Sequence, residues 1–285
     1  MTKYRLIFAA IFVSTTLAAC AGSGTASSSV VSLQPIAPSG TPIAQATLTA
    51  PDATLSPPTA SVEQAVAPAV LSTPAAAPAS VAALPKCQGV YKDVLTAHTA
   101  YTDWQTTLVD TIYMVPSSYY PRDLVSTGLP GGGSIRSLTK ADLTAMAKAA
   151  AAAGAPLQVT SAFRSYATQV STFNYWVRVG GRAAALLSSA RPGHSEHQLG
   201  LAIDFTSRGG AAPWTYADWA KTKAGAWMSA NAWRYGWVMS YPKGKSPSVT
   251  CYQYEPWHYR YVGRTEAAAI HASGLTTRAY LWNQQ

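Results

Sequence analysis

Two short stretches of the chain carry side chains that make chemical sense together. The first reads Ser195-Glu196-His197-Gln198-Leu199-Gly200-Leu201-Ala202-Ile203-Asp204, and the second Glu255-Pro256-Trp257-His258-Tyr259-Arg260-Tyr261. His197 and His258 offer imidazole nitrogens and Asp204 a carboxylate oxygen. Two His and one carboxylate fill three positions of a tetrahedral zinc ion and leave the fourth for water, which is the pattern of a catalytic rather than a structural zinc site. Zinc lowers the pKa of water towards about 7. A further group must accept the water proton and pass it to a leaving amine. Glu255 is the best placed carboxylate, three residues before His258 with Pro256 bending the chain between them. Taken singly, each residue has a plainer role: a lone His is more often structural, Asp204 suits a cap or salt bridge, and Glu255 suits the surface. The signal lies in the combination.

The elements that must position these groups form a mixed pattern. Cys87 to about Val109 is expected to be helical, leading to Tyr113 and the turn-rich Pro116 to Pro121; Gly131-Gly132-Gly133 reads as a loop. Thr139 is placed to cap a helix with Asp142 near its positive end, an apolar face of Leu143, Met146, Ala147 and Ala150, and Gly154 as its stop. Leu157 to Ser161 reads as a strand. Tyr166 to Val179 reads as a helix with Phe173, Trp176 and Val177 inward. Leu201 to Phe205, Trp237 to Tyr241 and His258 to Val262 read as further strands, and Asp218 to Ala230 and Thr265 to Ala272 as helices. Helices with short, non-alternating strands predict an α+β class with a small, mainly antiparallel sheet flanked by helices.

The motifs resemble those of a known family. Ser195 to Asp204 is similar to the S-x-H-x-x-G-x-A-x-D motif of VanY-type D-alanyl-D-alanine carboxypeptidases, and Glu255 to His258 to their E-x-W-H segment. The likeness extends to Ser161-Ala162-Phe163-Arg164-Ser165-Tyr166 with Gln169 and to Gly236 through Pro242, so it spans roughly Asp110 to Gly263. It implies the fold shared by zinc D,D-peptidases and the zinc domain of Hedgehog signalling proteins. It also implies that His197, Asp204 and His258 bind Zn2+ and that Glu255 is the general base and acid. By the same resemblance Arg164 points into the cleft and stabilises the oxyanion, Ser195 and Gln169 contact the substrate's terminal carboxylate or amide, and Tyr241 lines the cleft with Ser240. The implied substrate is the peptidoglycan stem peptide, cut at its C-terminal D-Ala. An L,D-carboxypeptidase or D,D-dipeptidase on the same scaffold stays open, as does a non-catalytic, zinc-stabilised wall-binding module. Gly200 is expected to allow close backbone packing, and His194 to sit near the site without being a ligand.

The rest of the chain says where such chemistry would operate. Lys3 and Arg5 precede an apolar run, Leu6 to Thr16, which is shorter than the roughly 20 residues of a membrane-spanning helix. It ends in Leu17-Ala18-Ala19-Cys20, similar to a lipoprotein box with Cys20 as the lipidated residue. Residues 1–19 are therefore expected to be an export signal. Residues 20–84, built mainly from Ala, Ser, Thr, Pro, Val and Gly, have too few apolar side chains to offset ordering entropy and are expected to form a spacer. Residues 85–285, with all nine tryptophans, form one catalytic domain. The expected location is outside the cell membrane, lipid-anchored and facing the wall. Cys87 and Cys251 bracket most of the domain and are expected to pair in an oxidising compartment. Two basic residues in the signal and two acidic ones in the spacer cancel, so the domain keeps the net charge of +9. That favours anionic wall polymers or lipid headgroups. Nucleic acid is excluded, because no basic run or known binding motif is present and the chain is read as exported.

Overall fold

A computed structural model describes residues 83–87, 92–97, 102–245 and 247–285. The expected signal, Cys20 and the spacer up to residue 82 lie outside the described residues. The fold is α+β. Its centre is a four-stranded antiparallel sheet of β5 (Leu157–Ser161), β6 (Ala202–Ser207), β8 (His258–Tyr261) and β7 (Trp237–Met239), in that spatial order. Two smaller pairs precede it in sequence. A parallel pair joins β1 (Val94–Leu95) to β2 (Tyr113–Met114), and an antiparallel pair joins β3 (Leu124–Ser126) to β4 (Ser134–Arg136). The helix expected from Cys87 to Val109 is therefore absent over its described part: β1 takes its backbone partners from residues 112–114.

Alternation along the strands divides the central sheet into two faces. Ile203, Phe205, Tyr259, Tyr261 and Trp237 belong to the core, packing with Leu143 and Met146 of α1 (Lys140–Ala152) and Met228 of α3 (Lys223–Asn231). The intervening residues, Asp204, His258 and Arg260, face the other way and are also buried. A register shift between Val159 and Ser161 brings Ser161 opposite Asp204, at the point where β5 ends and the chain turns into Arg164.

Local chemistry explains the ends of the helices. Thr139 precedes α1, but its hydroxyl donates to the Arg136 carbonyl (2.9 Å) and does not cap the helix. Asp142 does sit in the first turn, where it also accepts from Tyr261 Oη (2.6 Å) and Arg264 Nε (2.8 Å). The next helix, α2, runs from Tyr166 to Ser188, nine residues beyond the expected end at Val179. The Ser165 hydroxyl accepts from Thr168 N at its start, and Gly181 (φ 80°, ψ 162°) breaks the helical backbone within it. Phe173 is buried as expected, whereas Trp176 and Val177 are only partly covered. The helix expected from Asp218 starts at Lys223, after a 3-10 turn, because Thr222 Oγ1 accepts from Gly225 N (3.0 Å). Two last helices, α4 (Arg264–Ser273) and α5 (Thr277–Trp282), close the described chain.

Cys87 and Cys251 are disulfide-bonded, with Cα atoms 4.9 Å apart, and so fasten the start of the domain to the loop before β8. On the same side, α5 sends Arg278 to Asp110 (Nε–Oδ2 2.7 Å) and to the Pro85 carbonyl (Nη2, 3.3 Å).

Candidate metal centre

His197 and Asp204 are presented by consecutive elements. A 3-10 turn, Glu196–Leu199, carries His197 and ends at Gly200, which takes the left-handed conformation (φ 69°). A Cβ there would come within 3.1 Å of Arg136 Cγ and Leu124 Cδ2, so both the backbone angle and the space call for glycine. His197 Nδ1 lies 2.7 Å from the Ala162 carbonyl oxygen. A carbonyl only accepts, so Nδ1 carries the proton and Nε2 faces Asp204 Oδ2 at 3.2 Å with its lone pair. Sheet register supplies the third group. Asp204 and His258 are directly opposed on β6 and β8, with Oδ1 and Nδ1 2.9 Å apart.

All three side chains are buried, and their donor atoms lie within 4.8 Å of one another, making this the candidate metal-holding group among the described residues. Zinc bonds of about 2 Å in tetrahedral geometry put neighbouring donors about 3.3 Å apart. Each histidine lies close to one oxygen of the Asp204 carboxylate, His197 Nε2 at 3.2 Å from Oδ2 and His258 Nδ1 at 2.9 Å from Oδ1, and a shared ion would draw the three donors inward from their 4.8 Å spread. Electrostatics set the three groups apart. Burial alone would raise the Asp204 pKa, but His197 and His258 beside it hold the carboxyl well below its usual range. Burial, with Arg164 nearby, depresses His197 and keeps it neutral. Burial also opposes charge on His258, yet its hydrogen bonds to Asp204 and Glu196 outweigh that and raise its pKa.

Glu255 stands in the turn leading into β8. Its N–H donates to the Tyr241 carbonyl (3.2 Å) and its carbonyl accepts from His258 N–H (3.1 Å), so the backbone ties the acid to the ligand strand. Burial pushes its carboxyl up to about 8; Asp204 and Glu196 push the same way and His258 and Arg164 oppose them. Arg164 is reached through its backbone, whose N–H donates to the His197 carbonyl (3.2 Å). Burial pulls its pKa down against the pull of Asp204, Glu255 and Tyr241, and its Nε is buried with no hydrogen-bond partner. Tyr241 stacks on the His258 ring (centroids 4.9 Å, planes 25°) and meets Tyr252 edge-on behind it.

Set beside known proteins, residues 133–264 match the model of the VanY family, D-alanyl-D-alanine carboxypeptidase. A solved VanY D,D-pentapeptidase in complex with Zn(II) is 31% identical, with a TM-score of 0.54; the match covers 62% of this chain and 99% of that one. The chain belongs to the VanY family. The LdcB LD-carboxypeptidase, described for its peptidoglycan recognition, is 32% identical with a TM-score of 0.57, over 66% of this chain and 94% of that one. YodJ of Bacillus subtilis (strain 168) is 37% identical over 180 residues, 61% of this chain and 65% of that protein. The chain thus spans just under two thirds of YodJ, and about a third or less of the next curated relatives. The VanY match runs from just before β4 to the first residue of α4, so His197, Asp204, His258, Glu255, Arg164 and Tyr241 lie inside it, while β1, β2, β3, Cys87 and α5 lie outside.

Two expected substrate contacts, Gln169 and Ser195, and the expected cleft residue Ser240 are all buried in this VanY-family chain. Gln169 is fully buried; its Nε2 donates to the Ala190 carbonyl (2.7 Å) and approaches Ser189 Oγ (3.5 Å), which braces the segment after α2. Only its Oε1 is left without a partner. Ser195 is buried at the entry to the His197 turn, where its carbonyl accepts from Gln198 N–H (3.0 Å). Ser240, expected on the cleft wall with Tyr241, is turned inward and donates to Glu196 Oε2 (2.6 Å). His194 is neither ligand nor surface: Nδ1 meets the Asp110 and Tyr113 carbonyls at 2.7 and 3.1 Å. Two groups that sequence reasoning left without a role, Glu196 and Arg260, lie directly behind His258. Glu196 Oε2 is 2.8 Å from His258 Nε2 and its Oε1 is 3.5 Å from Arg260 Nη1. The signal available was a charged residue two positions after His258, hence on the same strand face.

Proposed function

We propose that the chain is a zinc-dependent D-alanyl-D-alanine carboxypeptidase that removes the C-terminal D-Ala from peptidoglycan stem peptides. The observation that carries this is the cross-strand pair Asp204–His258 closed by His197, with Glu255 and Arg164 beside it. His197, Asp204 and His258 would hold Zn2+, which when bound would supply Lewis-acid polarisation of a peptide carbonyl and a lowered pKa for water. Glu255 takes the proton of the attacking water and returns it to the departing amine. A carboxyl poised near neutral pH can do both. Arg164 brings a fixed charge and an unpartnered Nε to the carbonyl oxygen as negative charge develops there. Tyr241 forms one wall over His258 and keeps water from that side.

The proposal extends to export and lipid anchoring at Cys20, with the spacer 20–84 reaching towards the wall. What supports it is the basic, apolar and small-residue order of the first 20 residues. The Cys87–Cys251 bond adds support, being of the kind an oxidising compartment sustains.

A second bond specificity has specific support, since the LdcB LD-carboxypeptidase and the VanY D,D-pentapeptidase are almost equally similar to this chain, at 32% and 31% identity. The test is to incubate the purified protein with a pentapeptide stem ending in D-Ala-D-Ala and, separately, with the tetrapeptide ending in one D-Ala, with and without chelator. Loss of one D-Ala from the pentapeptide alone, abolished by chelator, is expected. Cleavage of the tetrapeptide alone would make it an L,D-carboxypeptidase, and release of a dipeptide a dipeptidase. No cleavage of either in the presence of zinc would end the enzymatic proposal.

A further inference from the structure

Behind the candidate metal centre lies a buried chain of polar contacts that the family motif leaves without a role. Arg260 is fully buried and fixed to the backbone: Nε donates to the Tyr261 carbonyl (3.0 Å), and Nη2 to those of Trp104 (3.2 Å) and Thr107 (3.1 Å). Its Nη1 faces Glu196 Oε1 at 3.5 Å. Ser240 holds the other oxygen of Glu196 from a second direction at 2.6 Å, and that same Oε2 receives His258 Nε2 at 2.8 Å. The carboxylate is thus anchored on two sides and meets the imidazole on the third.

We infer that Glu196 is a positioning residue for the metal ligand His258. By accepting from Nε2 it keeps a proton there, so that Nδ1, which faces Asp204, is the nitrogen presented to the cation. The two histidines then offer opposite nitrogens. Nε2 of His197 is selected by the Ala162 carbonyl, and Nδ1 of His258 by the Glu196 carboxylate. Outer groups of this kind fix ring orientation and raise ligand basicity. The inference rests on the zinc reading of the site given above.

The experiment compares full-length wild type with Glu196→Leu, Glu196→Gln and Ser240→Ala. It measures zinc affinity by chelator competition, thermal melting, and the His258 Nε2 proton by 15N NMR of the zinc-loaded protein. Glu196→Leu is expected to weaken zinc binding about 10- to 100-fold and to lose the protected Nε2 proton signal. Glu196→Gln, which keeps an acceptor, is expected to recover part of that loss, and Ser240→Ala to weaken binding only a few-fold. A role in filling space alone would not separate Gln from Leu. Where the lone change leaves Arg260 unpaired and unfolds the protein, Glu196→Leu combined with Arg260→Met removes both buried charges and is expected to show the same weakening. Wild-type zinc affinity and an unchanged Nε2 signal in a folded Leu variant would overturn the inference while leaving the zinc site standing. A wild-type protein that takes up no zinc would overturn the site reading and this inference with it.

Discussion

The two histidines of the site are held by opposite means. His197 leans on main chain: its Nδ1 donates to the Ala162 carbonyl, Arg164 N–H holds its own carbonyl, and the turn that carries it closes on Gly200. His258 leans on side chains gathered from three other segments, Glu196, Asp204 and Tyr241, with Ser240 and Arg260 behind them. The electrostatic result differs in sign. Burial and Arg164 keep His197 neutral, whereas two carboxylates raise the pKa of His258. A backbone brace cannot be removed by substitution, while a side-chain brace can be tuned. One half of the centre is therefore fixed by the fold and the other is adjustable by sequence.

Replacing either ring gives the largest expected effect and tests whether both halves serve one ion. His197→Ala and His258→Ala should each abolish zinc uptake and bring hydrolysis to background, measured by metal content and D-Ala release. If His258→Ala keeps full zinc affinity, the halves do not share a metal. Next in size is Glu255→Gln. It should bind zinc much as wild type does and lose about 10²–10⁴-fold in kcat, because the hydrogen bond that ties this residue to His258 is a backbone one and survives the change. Arg164 belongs to the His197 half, and Arg164→Ala should lower kcat/KM by about 10²–10³-fold with zinc retained. Arg164→Lys should restore only part of this, since a point charge does not reproduce the guanidinium fork.

The same contrast explains what could be seen in the sequence. The three donor residues and Glu255 fall in two compact motifs, where spacing and residue type suffice to suggest that they converge. The strands bearing them were legible to within one or two residues, because their apolar character is local. The brace of His258 was not: Glu196, Ser240 and Arg260 meet only once β6, β7 and β8 are in register, and no short-range pattern encodes that. Gln169 reads as a substrate contact, but sequence does not show that its Nε2 is held by the Ala190 carbonyl just past α2 while its Oε1 stays unpartnered. That helix runs nine residues past its expected end at Val179, because the chain resumes helical backbone beyond the break at Gly181. At Cys87 to Val109 the backbone of β1 pairs with residues nearly twenty positions away, and propensity has no access to such a contact.

The disulfide separates the two halves by stability rather than chemistry. Cys251, at φ 70°, fastens the loop that leads through Tyr252 to Glu255 and His258, whereas among the described residues the His197 turn is held by hydrogen bonds and packing and by no disulfide. The bond spans 164 residues, so its loss relaxes a long loop in the unfolded chain. Replacing both cysteines by Ser should destabilise the domain by about 2–5 kcal/mol in denaturant unfolding. Zinc affinity should change less than in Glu196→Leu, because the sheet register that aligns Asp204 with His258 is made independently of this loop.

The smallest expected effect is on the metal-free protein and turns on the opposite signs of the two histidines. His258 has a folded pKa above its unfolded value, so its contribution is complete below about pH 6.5 and is lost as pH rises towards its folded pKa. Glu255, raised to about 8, acts in the same direction: the folded state holds its proton more tightly, and stability falls as pH climbs from the ordinary carboxyl range through 8. His197, depressed, works the other way and loses stability only as pH falls below about 6.5. Chelator-stripped protein should therefore melt lower at pH 9 than at pH 7, by a few degrees if the net effect is about 1–2 kcal/mol. Zinc requires His258 to release its Nδ1 proton, so the loaded protein should lose most of that slope. An apo melting temperature that rises between pH 7 and 9 would mean that the two carboxylates do not hold a proton on His258, and the contrast between the halves would fail at its electrostatic root.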